Sequence, residues 1–325
     1  MGFIKPVGGG VYDASSRLPL KGSSRVAGEG VFNTMNGILA FDKPQEISSF
    51  FACSLLRRLL GVKKIGHGGT LDPMATGVLP VLVGPATRAM DLIPAQDKEY
   101  IATMRFGYVS DTLDVWGTVR ATGGTIPTKQ AAEAVLERFR GDILQVPPMT
   151  SALQKDGVRL YELARKGIEI ERAARPITVF ALELLDFDES CGEMTVRCHC
   201  SKGTYIRSLC DDIGAALGCG AVMTALRRTV AAGIRVEDCI TLDAAKQLTA
   251  DELAARIRPI DTVFADYAAL TVTAAQATRF ANGGALSLQR LPFAPASTVR
   301  VYAPDGRFLG LGHPAEEELK VKKLF

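Results

Sequence analysis

Apolar residues recur along the chain with two periods, one typical of strands and one typical of helices. The apolar run 37–41 ends at Asp-Lys-Pro and predicts a strand that leads into a turn. Residues 78–83 form a second continuous apolar run, and residues 99–110 alternate as a strand does. Residues 111–123 predict a turn and a return strand, and two later segments predict further strands, at 177–188 and from 193 onward.

Helical spacing marks the segments between these strands. Residues 128–143 predict an amphipathic helix that Gly141 stops. Ser48 or Ser49 can cap an earlier helix, whose apolar positions are Phe51, Leu55, Leu59 and Leu60. Further helical patterns occupy residues 86–93, 205–220 and 239–257, and the last of these has room for one or two helices.

The composition changes along the chain and suggests three parts. Residues 1–35 are rich in glycine and serine and predict a flexible tail, which could also touch a polyanion through its basic side chains. Residues 36–262 predict an α+β domain with a central mixed or antiparallel sheet, interrupted by a polar insertion at about 146–176. Residues 267–325 predict a small β-rich module with a hairpin turn at 304–306.

The overall composition is that of an ordinary globular protein, with 47% hydrophobic and 22% charged residues. The formal net charge of +3 does not mark a nucleic-acid binder, so any such site must be a local basic patch. No apolar run reaches 18 residues, and the first 20 residues lack the apolar segment of a secretory signal. We therefore expect a cytoplasmic protein with no membrane contact.

The seven cysteines are irregularly spaced, which is typical of reduced thiols rather than a disulfide framework. Cys198, His199 and Cys200 resemble a zinc motif, but neighbours on a strand point to opposite faces and no C-x-x-C pair completes a site. The sequence predicts no metal site.

A glycine-rich loop, Gly66-His67-Gly68-Gly69-Thr70-Leu71-Asp72-Pro73, presents one carboxylate, that of Asp72. It is not a P-loop, because no Gly-Lys-Ser/Thr follows and a carboxylate would repel a phosphate. Asp72 could simply initiate a turn. However, the glycines permit close approach of another chain, and nearby cations could hold a polyanion against the loop: Arg57, Arg58, Lys63 and Lys64. The same cations would also suit a helix C-terminus.

The segment "GHGGTLDPMATGVLPVLVG" resembles the signature of TruB-type pseudouridine synthases, which modify tRNA. Residue 68 is glycine where many members have threonine. Four other segments resemble family motifs in the same order: "GILAFDKPQEISS", "DKEYIATMRFGYVSDTLDVWG", "VPPMTSALQKDGVRLYELARKGIEIERAARPI" and "CSKGTYIRSLCDDIGAALGCGAVMTALRR". The resemblance runs from about residue 36 to the end, more weakly past residue 260.

The resemblance implies that Asp72 is the catalytic carboxylate, that Tyr100 stacks on the target uracil and that Arg207 pairs with Asp72. It also implies that Lys43 supports the loop or the RNA. Other residues would contact RNA or line the base site: His67, Tyr205 and Leu226. The C-terminal module would be a PUA-like domain that grips the acceptor end of tRNA.

The residues themselves leave alternatives open. Arg207 could contact a phosphate or form a surface ion pair, and Tyr100 and Tyr205 could be core residues. His67 could orient the loop backbone rather than wedge into RNA. Residues 155–175 carry six basic and four acidic side chains, so Arg159, Arg165 and Lys166 could grip RNA phosphates or belong to a solvated surface helix.

The implied function is isomerisation of uridine 55 in the TΨC loop of tRNA, by a monomer without metal, nucleotide or organic cofactor. The partner is tRNA, held at its T-stem-loop and acceptor end, and not DNA. Asp72 could attack the ribose or act as a base at the neighbouring carbon. Two alternatives are a pseudouridine synthase acting on another RNA, for example in a guide-RNA assembly, and a non-catalytic RNA chaperone of the same fold.

Overall fold

The computed structural model describes residues 35–151, 153–155 and 157–325. The predicted tail, apart from residue 35, lies outside these residues. The α-helices are α1 (Ser49–Leu60), α2 (Lys129–Val135), α3 (Leu160–Arg165), α4 (Ile206–Ala216), α5 (Leu242–Gln247), α6 (Ala250–Ala254) and α7 (Ala274–Ala281). Short 3-10 helices span Gly84–Leu92, Leu136–Phe139, Val236–Asp238, Ile260–Phe264 and Leu288–Arg290.

Most of the strands belong to one long mixed sheet. Its members are β1 (Gly37–Lys43), β2 (Ile65–His67), β3 (Thr76–Val83), β4 (Lys98–Phe106), β7 (Gly141–Gln145), β10 (Arg175–Asp188), β11 (Glu193–Cys200), β12 (Ala221–Ala231), β13 (Ile234–Arg235), β14 (Ile240–Thr241) and β15 (Arg258–Pro259). The order along the sheet is β14-β1-β3-β12-β4-β11-β10-β7, with β3 parallel to β12 and the later neighbours antiparallel.

Two hairpins and a separate C-terminal sheet complete the strands. The hairpins pair β5 (Tyr108–Ser110) with β6 (Val119–Ala121), and β8 (Gln154–Lys155) with β9 (Val158–Arg159). The C-terminal sheet has the order β16-β18-β19-β20-β17, formed by β16 (Ala269–Thr271), β17 (Leu286–Ser287), β18 (Val299–Tyr302), β19 (Phe308–Ala315) and β20 (Glu318–Leu324). The predicted α+β fold, with a central mixed sheet and a β-rich C-terminal module, is confirmed.

The hydrophobic pattern explains how the central sheet is covered. Alternate residues of β4 are buried in a core shared with α4 and α2, as its two-residue period predicts. Strand β3 is apolar without interruption because it contributes side chains to two cores, Val78 and Leu82 to one and Leu79 and Val81 to the other. The first of these cores also includes Leu311 of the C-terminal sheet, so the module shares a hydrophobic core with the main sheet.

Helix α1 forms as predicted, and Ser48 caps it by accepting a hydrogen bond from the backbone N–H of Phe51. The predicted apolar stripe was wrong at Phe51, whereas Leu60 is buried as predicted and Leu59 packs against the same core. Phe51 is 44% exposed, whereas Ala52, Cys53, Leu56 and Leu60 are buried. Apolar residues fill both adjacent stripes, and packing against β1 and β3 selects the second stripe.

Three other predicted helices differ in length or type. The predicted helix 128–143 is α at Lys129–Val135 and 3-10 at Leu136–Phe139, because β7 already begins at Gly141. Residues 86–93 lie mostly in the 3-10 helix Gly84–Leu92 rather than an α-helix. The helical pattern of the insertion yields only the six residues of α3, after which Gly167 adopts a φ of 70°. Residues 239–257 contain two helices, α5 and α6.

None of the helices in the described part of the chain has both the length and the apolar character that a membrane span requires.

Candidate active site

The loop between β2 and β3 carries Asp72 and is braced from two sides. The hydroxyl of Ser49 accepts from the Leu71 N–H at 2.8 Å and donates to the Leu71 carbonyl at 2.9 Å. On the other side the buried Arg228 guanidinium donates to the carbonyls of Gly69 and Thr70, at 3.1 Å and 3.3 Å. The glycine-rich segment is therefore fixed at its backbone, and the carboxylate is presented from a defined position.

Arg207 meets Asp72 as the family resemblance implies. Its Nη2 lies 2.9 Å from Asp72 Oδ2, and the arginine side chain is 6% exposed whereas that of Asp72 is 36% exposed. Arg207 also donates to the Thr112 carbonyl at 3.1 Å, to the Thr150 carbonyl at 3.0 Å and to the Thr150 hydroxyl. These contacts exclude the alternative of a surface ion pair.

A second carboxylate, Asp114, faces the same guanidinium and was not predicted. Its Oδ2 lies 3.7 Å from Arg207 Nη1, and its side chain is 7% exposed. Burial raises the pKa of Asp114, while hydrogen bonds, first from the Thr112 hydroxyl, and the charge of Arg207 oppose that rise. The "DTLDVWG" segment had been noted as a motif, but the sequence offered no signal that Asp114 lies beside Arg207.

Tyr100 and Leu226 lie in one apolar core with the residues that flank Asp72, Leu71 and Met74. Tyr100 is 7% exposed on β4, and burial raises its phenol pKa, partly opposed by the Arg228 charge. This burial agrees with the core alternative, and contact between Tyr100 and uracil stays a prediction.

Lys43 is completely buried at the end of β1 and holds the turns on either side of the site. Its Nζ donates to the carbonyls of Pro44 at 2.8 Å and Ile47 at 2.9 Å, and lies 3.5 Å from that of Pro73. Burial lowers the pKa of Lys43 to about 8, while the nearby Asp72 carboxylate acts in the opposite direction. These contacts agree with support of the loop, and support of the RNA by Lys43 stays a prediction.

His67 and Tyr205 are both half-buried near these residues. The Nδ1 atom of His67 is buried without a hydrogen-bond partner, so it makes no backbone hydrogen bond, and burial lowers the pKa of the ring. Tyr205 precedes α4, where Gln145 accepts from its N–H and donates to its carbonyl. Burial raises the pKa of Tyr205. RNA contacts by both residues stay predictions.

The insertion places Arg159 in β9 and Arg165 at the end of α3, followed by the exposed Lys166. A cavity of about 610 Å³ separates the insertion from α4 and from the turn after β5. A second cavity of about 390 Å³ lies within the insertion. Neither cavity is lined by Asp72 or Tyr100, and the predicted grip on RNA is not tested by this geometry.

The Cys198-His199-Cys200 segment alternates across β11 as expected. Both cysteines are buried, while His199 lies on the opposite face with its Nε2 2.6 Å from Asp97. Among the described residues no group of His, Cys, Asp and Glu side chains is arranged to hold a metal ion.

Family models match three consecutive parts of the chain. Residues 57–206 match the N-terminal domain of the TruB family pseudouridylate synthases. Residues 207–265 match the tRNA pseudouridylate synthase B C-terminal domain, and residues 268–325 match the model described as pseudouridine synthase II TruB, C-terminal.

Curated relatives match over most of their length. The chain is 45% identical over 297 residues to tRNA pseudouridine synthase B of Burkholderia pseudomallei (strain 668), covering 89% of this chain and 97% of the relative. It is 42% identical over 278 residues to tRNA pseudouridine synthase B of Aromatoleum aromaticum, covering 86% and 88% respectively.

Solved structures share the fold. A chain in the crystal structure of a Cbf5-Nop10-Gar1 complex aligns with a TM-score of 0.66 at 25% identity, covering 89% of this chain and 84% of that one. A chain of the archaeal box H/ACA sRNP Nop10-Cbf5 complex aligns with a TM-score of 0.66 at 24% identity, covering 90% of this chain and 87% of that one.

Proposed function

The chain belongs to the TruB family of pseudouridylate synthases, and we propose that it converts one uridine of tRNA, position 55 in the TΨC loop, to pseudouridine. The observation that carries this proposal is the 2.9 Å ion pair between Arg207 and the partly exposed Asp72, on a loop braced by Ser49 and Arg228. The reaction needs an accessible carboxylate of fixed position, and this loop supplies one.

Asp72 acts on the ribose of a nucleotide that has left its base stack. As a nucleophile, its carboxylate bonds to C1′ while the bond from C1′ to uracil N1 breaks. The base then turns, C5 bonds to C1′, and the carboxylate is released. As a base, it instead removes the C2′ proton while the bond from C1′ to N1 breaks, which leaves a C1′=C2′ double bond. The proton returns to C2′ when C5 of the turned base bonds to C1′. In both routes the C5 proton is finally lost and N1 gains one, so no redox partner or cofactor is required.

Arg207 places a fixed positive charge beside the carboxylate that both routes use. A guanidinium cannot be deprotonated at neutral pH and stabilises an adjacent carboxylate in its charged form. Arg207 is held on four sides, so it cannot turn away when the RNA displaces water from Asp72. Tyr100 and Leu226 would line the uracil site.

The remaining parts of the chain would hold the RNA. We assign residues 36–262 to the catalytic domain, with an insertion at about 146–176 that grips the T-stem-loop through Arg159, Arg165 and Lys166. We assign residues 267–325 to a PUA-like module for the acceptor end. The enzyme would work as a cytoplasmic monomer.

Mass-spectrometric mapping of pseudouridine, after chemical tagging, in an unmodified tRNA transcript tests this function. We expect the purified protein to modify one T-loop uridine without ATP, added metal or guide RNA. Asp72→Asn should bind the transcript and lose all isomerisation, because an amide can neither attack nor accept the proton. Asp238→Asn is the matched control, since Asp238 pairs with Arg258 away from this loop.

Three outcomes would contradict the proposal. If Asp72→Asn isomerised uridine as fast as the wild type, the catalytic role would be wrong. Modification of another RNA only with an added guide would favour a guide-dependent synthase. If the wild type accelerated RNA folding without isomerisation and Asp72→Asn did the same, the protein would be an RNA chaperone.

A further inference from the structure

Trp116 is the only tryptophan of the chain, and it is 51% exposed. A single exposed apolar side chain is common on protein surfaces and needs no function. Trp116 differs from such a residue in two respects, the hydrogen bonds that fix its backbone and its position in the fold. It lies in the turn between β5 and β6, which also contains Asp114.

The turn is rigid at its backbone. Asp114 Oδ1 accepts from the Trp116 N–H at 3.0 Å, and Asp111 Oδ1 accepts from the Thr118 N–H at 2.8 Å. The Val115 N–H donates to the Met223 carbonyl at 3.0 Å, which ties the turn to β12. The indole therefore projects from a pre-organised support, which lowers the entropy lost when it contacts a ligand.

The same turn leads directly to the catalytic pair. Asp114 holds Trp116 with one oxygen and places the other 3.7 Å from Arg207, which in turn lies 2.9 Å from Asp72. Neighbouring residues of the turn, Ser110, Asp111 and Leu113, line the cavity of about 610 Å³ that faces the insertion. These contacts place the turn next to the residue that holds Asp72.

The chemistry of the turn selects which part of an RNA could bind. Residues 111–117 contain two aspartates and no basic side chain, so the turn would repel a phosphate. Its exposed apolar surface is an indole, and an unstacked base of an RNA loop stacks well on such a ring. We propose that Trp116 forms a second base-binding site, which holds a nucleotide of the substrate loop other than the target uridine. This inference rests on the proposed function for its ligand.

Intrinsic fluorescence tests the contact, since all indole emission comes from Trp116. We expect a chemically synthesised T-stem-loop hairpin to quench this emission in the Asp72→Asn protein, which cannot turn it over. Trp116→Ala should weaken binding of a fluorophore-labelled hairpin by about 5- to 150-fold, the range for loss of one stacked base. Trp116→Phe should bind the hairpin with an affinity between those of the wild type and Trp116→Ala. Val115→Ala, a change of the adjacent 38% exposed side chain, is the matched control and should bind normally.

Single-turnover rates separate base binding from a purely structural role. Trp116→Ala should keep the wild-type isomerisation rate at saturating hairpin, because Asp114 still receives the backbone N–H of residue 116. A lowered saturating rate with unchanged affinity would overturn the proposal, as would unchanged emission together with unchanged affinity. If the wild type quenched on binding but isomerised no RNA, the proposed function would fail while the base contact stood.

Discussion

Replacing Arg207 with methionine removes the central charge of the site and keeps an unbranched side chain. Arg207 is 6% exposed and faces two carboxylates, of which Asp114 is 7% exposed and Asp72 is 36% exposed. Without the guanidinium, water can solvate the partly exposed Asp72 carboxylate, so the loss of this ion pair lowers the stability only slightly. Asp114 has no such access and would be left as a buried, unpaired carboxylate.

Breaking a buried ion pair by removing one partner costs about 3–5 kcal/mol. We therefore expect Arg207→Met to lower the free energy of unfolding by about that amount at neutral pH. The loss should be smaller in acid. Burial already raises the pKa of Asp114, and removing Arg207 takes away an effect that opposes this rise.

The sign of the pH dependence follows from that shift. The folded variant binds the Asp114 proton more tightly than the unfolded chain, whose Asp pKa is about 3.9. Its stability is therefore highest below the unfolded pKa and is lost as pH rises through the folded pKa of Asp114. At low pH Asp114 is protonated and its charge no longer destabilises the variant. The remaining loss of stability comes mainly from the hydrogen bonds that Arg207 made to Thr112 and Thr150, about 1–3 kcal/mol.

Urea unfolding followed by circular dichroism, at about pH 5 and about pH 8, measures this difference. Arg227→Met is the matched control, because Arg227 also pairs with an aspartate, Asp42 at 2.8 Å, but is 42% exposed. Its loss of stability should be smaller. In an Asp114→Asn background, Arg207→Met should cost less than in the wild type. A loss independent of pH, with no coupling to position 114, would refute the reasoning.

Two further perturbations test the supports of the loop. Lys43 binds its proton less tightly in the folded protein, where its pKa is about 8, than in the unfolded chain, where it is 10.5. As pH rises between those values, the free energy of unfolding of the wild type should therefore increase by about 3 kcal/mol relative to that of Lys43→Met. Equal pH slopes in urea titrations of the two proteins would contradict this. Gly77→Ala should prevent stable folding, because Gly77 has a φ of 104° and a Cβ there would lie 2.1 Å from the Arg228 carbonyl oxygen. Gly123→Ala is the control, because Gly123 has a φ of 74° but open space around it, and its free energy of unfolding should fall by only about 1–2 kcal/mol. Similar thermal melting of the two variants would exclude a steric role for Gly77.

The strands could be predicted well because their signals are local. The alternation over residues 99–106 of β4, the continuous apolar run of β3 and the turn at 304–306 each follow from neighbouring residues and are confirmed. The strand predicted over 99–110 was too long, because the chain turns at Gly107, with a φ of 85°, and residues 108–110 form β5 of a separate hairpin. The buried face of α1 could be predicted only in part, since two adjacent apolar stripes compete and only contact with the sheet distinguishes them.

The candidate site could likewise be predicted only in part. The pairing of Arg207 with Asp72 followed from ordered family motifs, and the structure brings the two side chains together. Asp114, Thr150 and Arg228 were missed, although all three lie in segments already quoted for their resemblance. Their hydrogen bonds join positions far apart in the chain, and no short-range spacing reports such a contact.

The sequence by itself determined most of the strands of the central sheet, the family, and the carboxylate on a glycine-rich loop, because these depend on residue type and local spacing. Only the tertiary structure decided which partners hold that carboxylate. Strand β12 lies between β3 and β4, which brings Arg228 into contact with the backbone of the loop. The start of α4 brings Arg207 between Asp72 and Asp114. Burial of these charges, and hence the pKa values around the site, arises only when distant segments pack together and exclude water.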